Sequence, residues 1–236
     1  MTPRGTLFAV GLGPGDPRLV TVRAAEILRS AAVVAYPVDT AGDPGRAYQI
    51  ARPYLGQDVT ELPLVMPMTS DRSALEAAWD SAVAAISAEA EMGRDVVYLC
   101  LGDTLLYGSF GYLLARYRGP VEVVPGVISP VAAASALREP LVEGREPLVV
   151  VPDGGDLELL CGALDLGGTV VIMKPSRLST DAVALIEASG ALPRVRVCRD
   201  VTLDGEQIFA PGSGADLVSL PYFSIVTILA PGREGS

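Results

Sequence analysis

The chain has 236 residues, 18 basic and 28 acidic side chains, a net charge of −10 and no histidine. That length suffices for one large or two small domains with real cores. The acidic balance argues against nucleic acid as a partner, and the missing histidine removes the commonest metal ligand and general base, so histidine triads and zinc hydrolase sites are excluded. No apolar run of about 18 residues is present and the amino terminus carries no basic region followed by an apolar signal core, which predicts a cytoplasmic protein without a membrane partner. Cys100, Cys161 and Cys198 are odd in number, isolated and set among apolar neighbours, as reduced core thiols are, and no metal site is expected. The mean hydropathy is positive, +0.38, which predicts apolar surface buried beyond one core, most simply in a homodimer.

In chain order, Thr6 to Val38 reads as strand, glycine-proline loop, helix and second strand. Apolar Leu7 to Val10 runs into Gly11-Leu12-Gly13-Pro14-Gly15-Asp16-Pro17, and a helical pattern (Leu19, Val22, Ala25, Ile27, Leu28) follows. Ligands of open α/β sheets sit at such carboxyl-terminal strand edges. A dinucleotide fingerprint wants glycine where Asp16 stands, and a carboxylate there repels phosphate. A Walker loop needs lysine followed by serine or threonine, yet the only lysine is the distant Lys174. Phosphate cradling is therefore not expected, and the loop taken alone reads equally as a tight structural turn.

Helices are predicted at Gly45 to Leu55 and at Ser70 to Met92, with Ser70 as its cap. Asp95 to Leu101 is a buried strand ending in Gly102-Asp103, followed by a helix near Gly108 to Tyr117 and a short strand at Val121 to Val124. This is a parallel-sheet pattern. The composition changes at Leu137 to Pro147, rich in charge and proline, which is read as the inter-domain connection. Beyond it, candidate strands at Leu148 to Val151, Thr169 to Met173, Val195 to Arg199, Glu206 to Phe209 and Phe223 to Leu229 surround helices at Leu157 to Leu164 and Thr180 to Ser189. Fewer helices per strand predict a mixed sheet. The expected fold is thus two α/β domains, with a mainly parallel sheet in an amino-terminal domain (1–137, carrying the glycine-rich loop) and a mixed sheet in a carboxyl-terminal one (138–236).

Glycine, proline and hydroxyl positions fall at the ends of these strands: GLGPGDP, LGDTLLYGSF (Leu101 to Phe110), PGVISP (Pro125 to Pro130), MKPSR (Met173 to Arg177) and PYFS (Pro221 to Ser224). In this order, over essentially the whole chain, they resemble the tetrapyrrole methylase family, the S-adenosylmethionine-dependent enzymes of corrin and sirohaem synthesis. AYPV (Ala35 to Val38), ARPYL (Ala51 to Leu55), Pro67 to Ile86, Leu105 to Tyr117 and the closing PYFS are most similar to the members that methylate C-20 of precorrin-2. The chain departs from the family pattern at Thr104, where proline is usual, and at Ile128, where threonine is usual. The second change costs a hydroxyl that backbone groups can replace.

The resemblance implies a cofactor folded in a crevice between the domains, S-adenosylmethionine, leaving as S-adenosylhomocysteine. It assigns cofactor contacts to Leu101, Gly102, Asp103, Leu106, Tyr107, Ile128, Ser129 and Met173, with Pro14 at the border of the reaction cleft. Read without it, Leu101, Leu106 and Met173 are core packing and Asp103 is a helix-cap carboxylate. The implied reaction is in-line displacement at the sulfonium methyl by an electron-rich meso carbon, C-20 of precorrin-2 or its cobalt-containing counterpart, in which the protein mainly aligns the reactants. Asp16, Asp103 and Tyr107 are considered as a base for loss of the C-20 proton, and no catalytic residue is assigned. The tetrapyrrole substrate brings many carboxylates. Gly15, Asp16, Lys174 and Arg177 are expected at its rim, with Arg46 and Arg52 as weaker candidates. Rival readings are another tetrapyrrole or diphthamide-type methylase, or a non-catalytic tetrapyrrole carrier.

Overall fold

The computed structural model describes residues 4–209 and 215–233. Contacts divide the chain into two units, Met1–Ile128 and Ser129–Ser236. The first contains β1 (Leu7–Gly11), α1 (Val22–Arg29), β2 (Val33–Val38), α2 (Arg46–Ala51), β3 (Thr60–Val65), α3 (Arg72–Glu91), β4 (Val96–Cys100), α4 (Phe110–Leu114) and β5 (Val121–Val124). Its sheet runs β3-β2-β4-β1-β5 with every pairing parallel. Central strands read as continuous apolar runs because both faces are covered. Leu7, Ala9, Val33, Ala35, Val96 and Tyr98 face α3 and α4, with Trp79, Ile86 and Phe110. Val10, Val34, Tyr36, Val97 and Leu99 face α1 and α2, with Ile27, Leu28 and Ile50.

The predicted strands of this unit are present, and β3 is an addition. Its sequence, TELPLV, holds a proline and is mostly solvent-facing. As an edge strand it accommodates a residue without an N–H, as β2 does at Pro37, beyond its pairing with β4. The long helix begins one position later than expected. Asp71, not Ser70, is the cap, its carboxylate accepting the Ser73 N–H at 2.9 Å.

The second unit contains α5 (Ser129–Leu137), β6 (Leu148–Val151), α6 (Leu157–Asp165), β7 (Thr169–Met173), α7 (Thr180–Ala188), β8 (Val195–Arg199), β9 (Gln207–Phe209) and β10 (Ser224–Ile228). Its sheet runs β6-β7-β10-β8-β9; β6 and β7 are parallel and the other pairs antiparallel. Leu160, Val170, Ile172, Ile186 and Val226 fill the side under α6 and α7. On the other side α5 packs Ala132 and Ala133 against Val171, Cys198 and Ile225. That packing is why α5 goes with the second unit, although the change in composition lies further on.

The charged stretch Leu137 to Pro147 is fastened to the second unit by two buried arginines. Arg196 Nε donates to both Glu139 oxygens at 3.0 Å. Arg233 donates to the Pro140 carbonyl at 2.6 Å and to Glu146 at 3.3 Å. Burying guanidinium groups is tolerable only when each finds such acceptors. All three cysteines are free thiols. Cys100 and Cys198 are buried as expected, whereas Cys161 is exposed on α6, because its position falls on the helix's outer side. No helix among the described residues is long and apolar enough to cross a membrane, and no cluster of three or more possible metal ligands occurs among them.

Candidate functional site at the strand ends

In the first unit the loops after β1, β4 and β5 meet, because the sheet order sets these three strands side by side. The β1 and β4 loops are joined as a two-residue bridge: the Gly13 N–H donates to Gly102 O at 3.1 Å and the Gly102 N–H to Gly13 O at 2.8 Å. The β5 loop lies so close that a side chain cannot fit. A Cβ on Gly126 would sit 2.1 Å from Gly102 O, and one on Gly11 would sit 2.5 Å from the Gly126 nitrogen. Glycine is required here by contact rather than by backbone angle.

Asp103 ties the same loops together. One carboxylate oxygen accepts the Leu105 and Leu106 N–H groups at 2.9 and 3.2 Å, and the other accepts the Gly126 N–H at 2.9 Å. These are charge-assisted bonds to backbone, the strong kind. The next helix begins only at Phe110, so Asp103 caps a turn, not a helix. Of about four acceptor positions on a carboxylate, three are used. Thr104, at the position where the family pattern has proline, is buried.

Around this brace, apolar side chains stay in the open: Leu101 is 37 % exposed, Leu105 58 % and Tyr107 44 %. A Cβ on Gly102 would meet nothing within 4 Å, so there is vacant space beside the strand end. Tyr107 adopts a left-handed backbone (φ 51°), a strained setting for a bulky residue and one that clusters at ligand sites. Pro14 and Gly15 are buried. Asp16 is engaged locally: Arg18 Nε and Nη2 donate to its Oδ2 at 2.9 and 2.6 Å, and the Arg18 backbone N–H to its Oδ1 at 2.8 Å. The Arg18 hydrogen bonds hold the Asp16 carboxyl below the usual carboxylate range. Downstream, Tyr54 fixes the turn by donating to Pro17 O at 2.8 Å.

Ile128 is the last residue of the β5 loop and Ser129 the first of α5. The other expected site residues lie in the second unit, at the end of β7. Met173 closes the strand and packs on the α5 side. Lys174 turns left-handed (φ 50°) into Pro175–Arg177, and its ammonium lies 5.7 Å from the Tyr222 ring centroid. Arg177 pairs with Asp153 at 3.7 Å on the exposed surface. Arg46 opens α2 and Arg52 begins the turn after it.

The sequence motifs GLGPGDP, PGVISP and PYFS include Gly11, Gly126, Tyr222 and Phe223 without assigning them a role, and Asp200 and Thr202 lie outside every motif. Gly11 and Gly126 matter through close approach, which spacing does not reveal. Asp200 and Thr202, just after β8, are left-handed at φ 46° and 66°. Tyr222 and Phe223, just before β10, form an exposed edge-to-face pair with centroids 5.0 Å apart. Here a signal existed, since PYFS places two aromatics beside a proline at a strand entry.

The first unit thus has glycine-braced loops at the carboxyl ends of parallel strands, the place where open α/β sheets bind small molecules. The chain belongs to the Tetrapyrrole (Corrin/Porphyrin) Methylases, whose family model matches residues 6–217. It is 34 % identical to the cobalt-precorrin-2 C(20)-methyltransferase of Salmonella typhimurium over 95 % of this chain and 96 % of that one. It is also 34 % identical to the precorrin-2 C(20)-methyltransferase of a Sinorhizobium species, over 97 % of this chain and 96 % of the relative. Among solved structures, a cobalt precorrin-4 methyltransferase matches with a TM-score of 0.75 and 22 % identity, covering 95 % of this chain and 94 % of the other. A Thermus thermophilus uroporphyrin-III C-methyl transferase complexed with S-adenyl homocysteine matches with a TM-score of 0.66 and 20 % identity, covering 95 % and 97 %. At those identities the structures attest the fold.

Proposed function

We propose that the chain is an S-adenosylmethionine-dependent methyltransferase acting at C-20 of precorrin-2 or its cobalt-containing counterpart, in cobalamin biosynthesis. The observation that carries the reading is the Gly11–Gly102–Gly126 brace with Asp103 at its centre, found in a chain alike over its whole length to relatives of that name. The residues suit the cofactor. Leu101–Ser109 and Pro125–Ser129 carry no basic side chain, which fits a cationic sulfonium and ammonium and disfavours phosphate. The open space beside Gly102 and the exposed Leu101 and Tyr107 offer a cradle with apolar walls.

When bound, S-adenosylmethionine supplies an electrophilic methyl group and leaves as S-adenosylhomocysteine. The protein's part is alignment in a site with few waters. Asp103 holds the Leu105 and Leu106 amides and the β5 loop in one geometry, and its remaining acceptor position suits a hydroxyl or ammonium donor. Pro14, Leu101, Gly102, Leu106, Tyr107, Ile128, Ser129 and Met173 complete the cofactor set of this reading. Gly15, Asp16, Lys174 and Arg177 form its substrate rim, with Lys174 ahead of Arg177, whose charge is partly balanced by Asp153. No residue is assigned as base. The reading includes a homodimer, because Val65, Met68, Leu105 and Tyr112 leave apolar surface open on the first unit. It also includes residence in the cytoplasm, where free thiols persist.

Calorimetry tests the cofactor assignment. S-Adenosylhomocysteine should bind near the micromolar range, about −8 kcal/mol, while NAD and ATP should not bind. Tight NAD binding without S-adenosylhomocysteine binding would overturn it.

A further inference from the structure

The second unit presents a surface that the cofactor assignment does not use. Tyr222 and Phe223 are 43 % and 38 % exposed, although aromatic rings are ordinarily buried for the large area they carry. Their planes lie at 84°, so one ring offers its face and the other its edge. Their backbone is held firmly. Phe223 O accepts the Asp200 N–H at 2.8 Å, and Ser224, the next residue, enters β10 between β7 and β8. Both flanking strands end in a left-handed non-glycine residue, Lys174 after β7 and Asp200 after β8. Strain of that kind persists only where the surroundings enforce it. The Lys174 ammonium stands over the Tyr222 ring at 5.7 Å, so a positive charge is fixed beside a flat apolar surface.

We infer that Tyr222, Phe223 and Lys174 form a platform on which one face of the tetrapyrrole rests, and that this platform sets how tightly the macrocycle is held. The inference rests on the proposed function for the identity of the substrate. The chemistry favours the macrocycle over the cofactor's adenine. A tetrapyrrole is broad, flat and fringed with carboxylates, so it uses both the rings and the ammonium. Adenine is flat but brings no fringe of carboxylates to meet the ammonium.

The test compares wild type with Tyr222→Leu, Phe223→Leu and the double variant, reading substrate binding from the absorbance change of anaerobically prepared precorrin-2, and then steady-state kinetics. Removing the aromatic pair should weaken precorrin-2 binding and raise its KM about tenfold, while KM for S-adenosylmethionine and the unfolding midpoint stay at wild-type values. Phe223→Tyr should restore binding, which a merely structural role would not require. Lys174→Gln should raise the same KM and flatten its salt dependence, with a smaller effect once Tyr222 is already leucine, because the ammonium is then no longer held over a ring. Unchanged precorrin-2 binding in the double variant overturns the inference, as does a change confined to S-adenosylmethionine. A wild type that binds precorrin-2 but never methylates it removes the proposed activity and leaves the platform standing, since binding is read separately from turnover.

Discussion

Replacing Gly126 with alanine puts one methyl group into the contact that joins three loops. The new carbon would lie 2.1 Å from Gly102 O and 2.8 Å from the Gly11 carbonyl carbon, all of it backbone that cannot swing aside. Reaching an ordinary contact of 3.4 Å means opening the loops by 3.4 − 2.1 = 1.3 Å. The Gly126 N–H bond to Asp103, now 2.9 Å, does not survive that movement. Overpacking costs about 1–3 kcal/mol and loss of a hydrogen bond to a charged group about 1.5–3 kcal/mol, so a destabilisation of roughly 3–5 kcal/mol is expected. For a chain of this size that lowers the melting temperature by on the order of 10 °C. Gly111→Ala is the control: it lies in α4 with nothing within 4 Å of its Cβ, and alanine there should stabilise by about 0.5–1 kcal/mol. Scanning calorimetry measures both, and S-adenosylhomocysteine titration of the variants follows the site. A Gly126→Ala protein that melts and binds like wild type would show that the three loops do not meet as described.

Three other outcomes follow from particular side chains. Asp103→Ala should weaken S-adenosylhomocysteine binding by roughly 1.5–3 kcal/mol and also lower stability, because it frees three backbone N–H groups; lost stability with unchanged affinity would leave the carboxylate a loop strut only. Tyr48 and Tyr36 donate to Glu61 at 2.6 and 2.7 Å and hold its carboxyl below the usual range. A depressed folded pKa contributes stability that is complete above the unfolded value, about 4.3, and is lost as pH falls through the lower folded value; Glu61→Gln should therefore flatten the acid limb of a stability–pH curve measured by urea unfolding. Arg196→Ala strands Glu139 and should cost about 3–5 kcal/mol, whereas Arg18→Ala, which breaks an exposed pair, should cost less than about 1 kcal/mol; equal effects in urea titrations would contradict the burial of the Arg196 pair.

Much of the fold was legible because its strands are short segments dense in valine, isoleucine and leucine, set between glycine, proline and charged turn residues. Val121–Val124, Leu148–Val151, Thr169–Met173 and Val195–Arg199 were read to the residue. β3 escaped because an edge strand keeps one side in water and here admits Pro63, so neither alternation nor β-branched density marks it. α5 escaped for the opposite reason. SPVAAASAL is small and apolar on nearly every side, and a helix without a polar face has no period to detect. The glycine loops and Asp103 were found as motifs, but their physical work was not visible. Spacing could not show that Gly126 must be bare for Gly102 to approach, nor that Asp103 spends both oxygens on backbone. The left-handed turns at Lys174 and Thr202 fall on residue types with no preference for that region, and Asp200, whose type does visit it, carries no turn partner in the sequence to mark it.

The most direct measurement incubates the pure protein with S-adenosylmethionine carrying an isotopically labelled methyl group and with precorrin-2, metal-free in one arm and cobalt-loaded in the other, and reads the product by mass and by carbon NMR. One labelled methyl group on C-20, absent without enzyme, is the predicted result, and the arm that turns over faster identifies the natural substrate. Precorrin-2 recovered unmethylated in both arms, or label on any carbon other than C-20, would contradict the account.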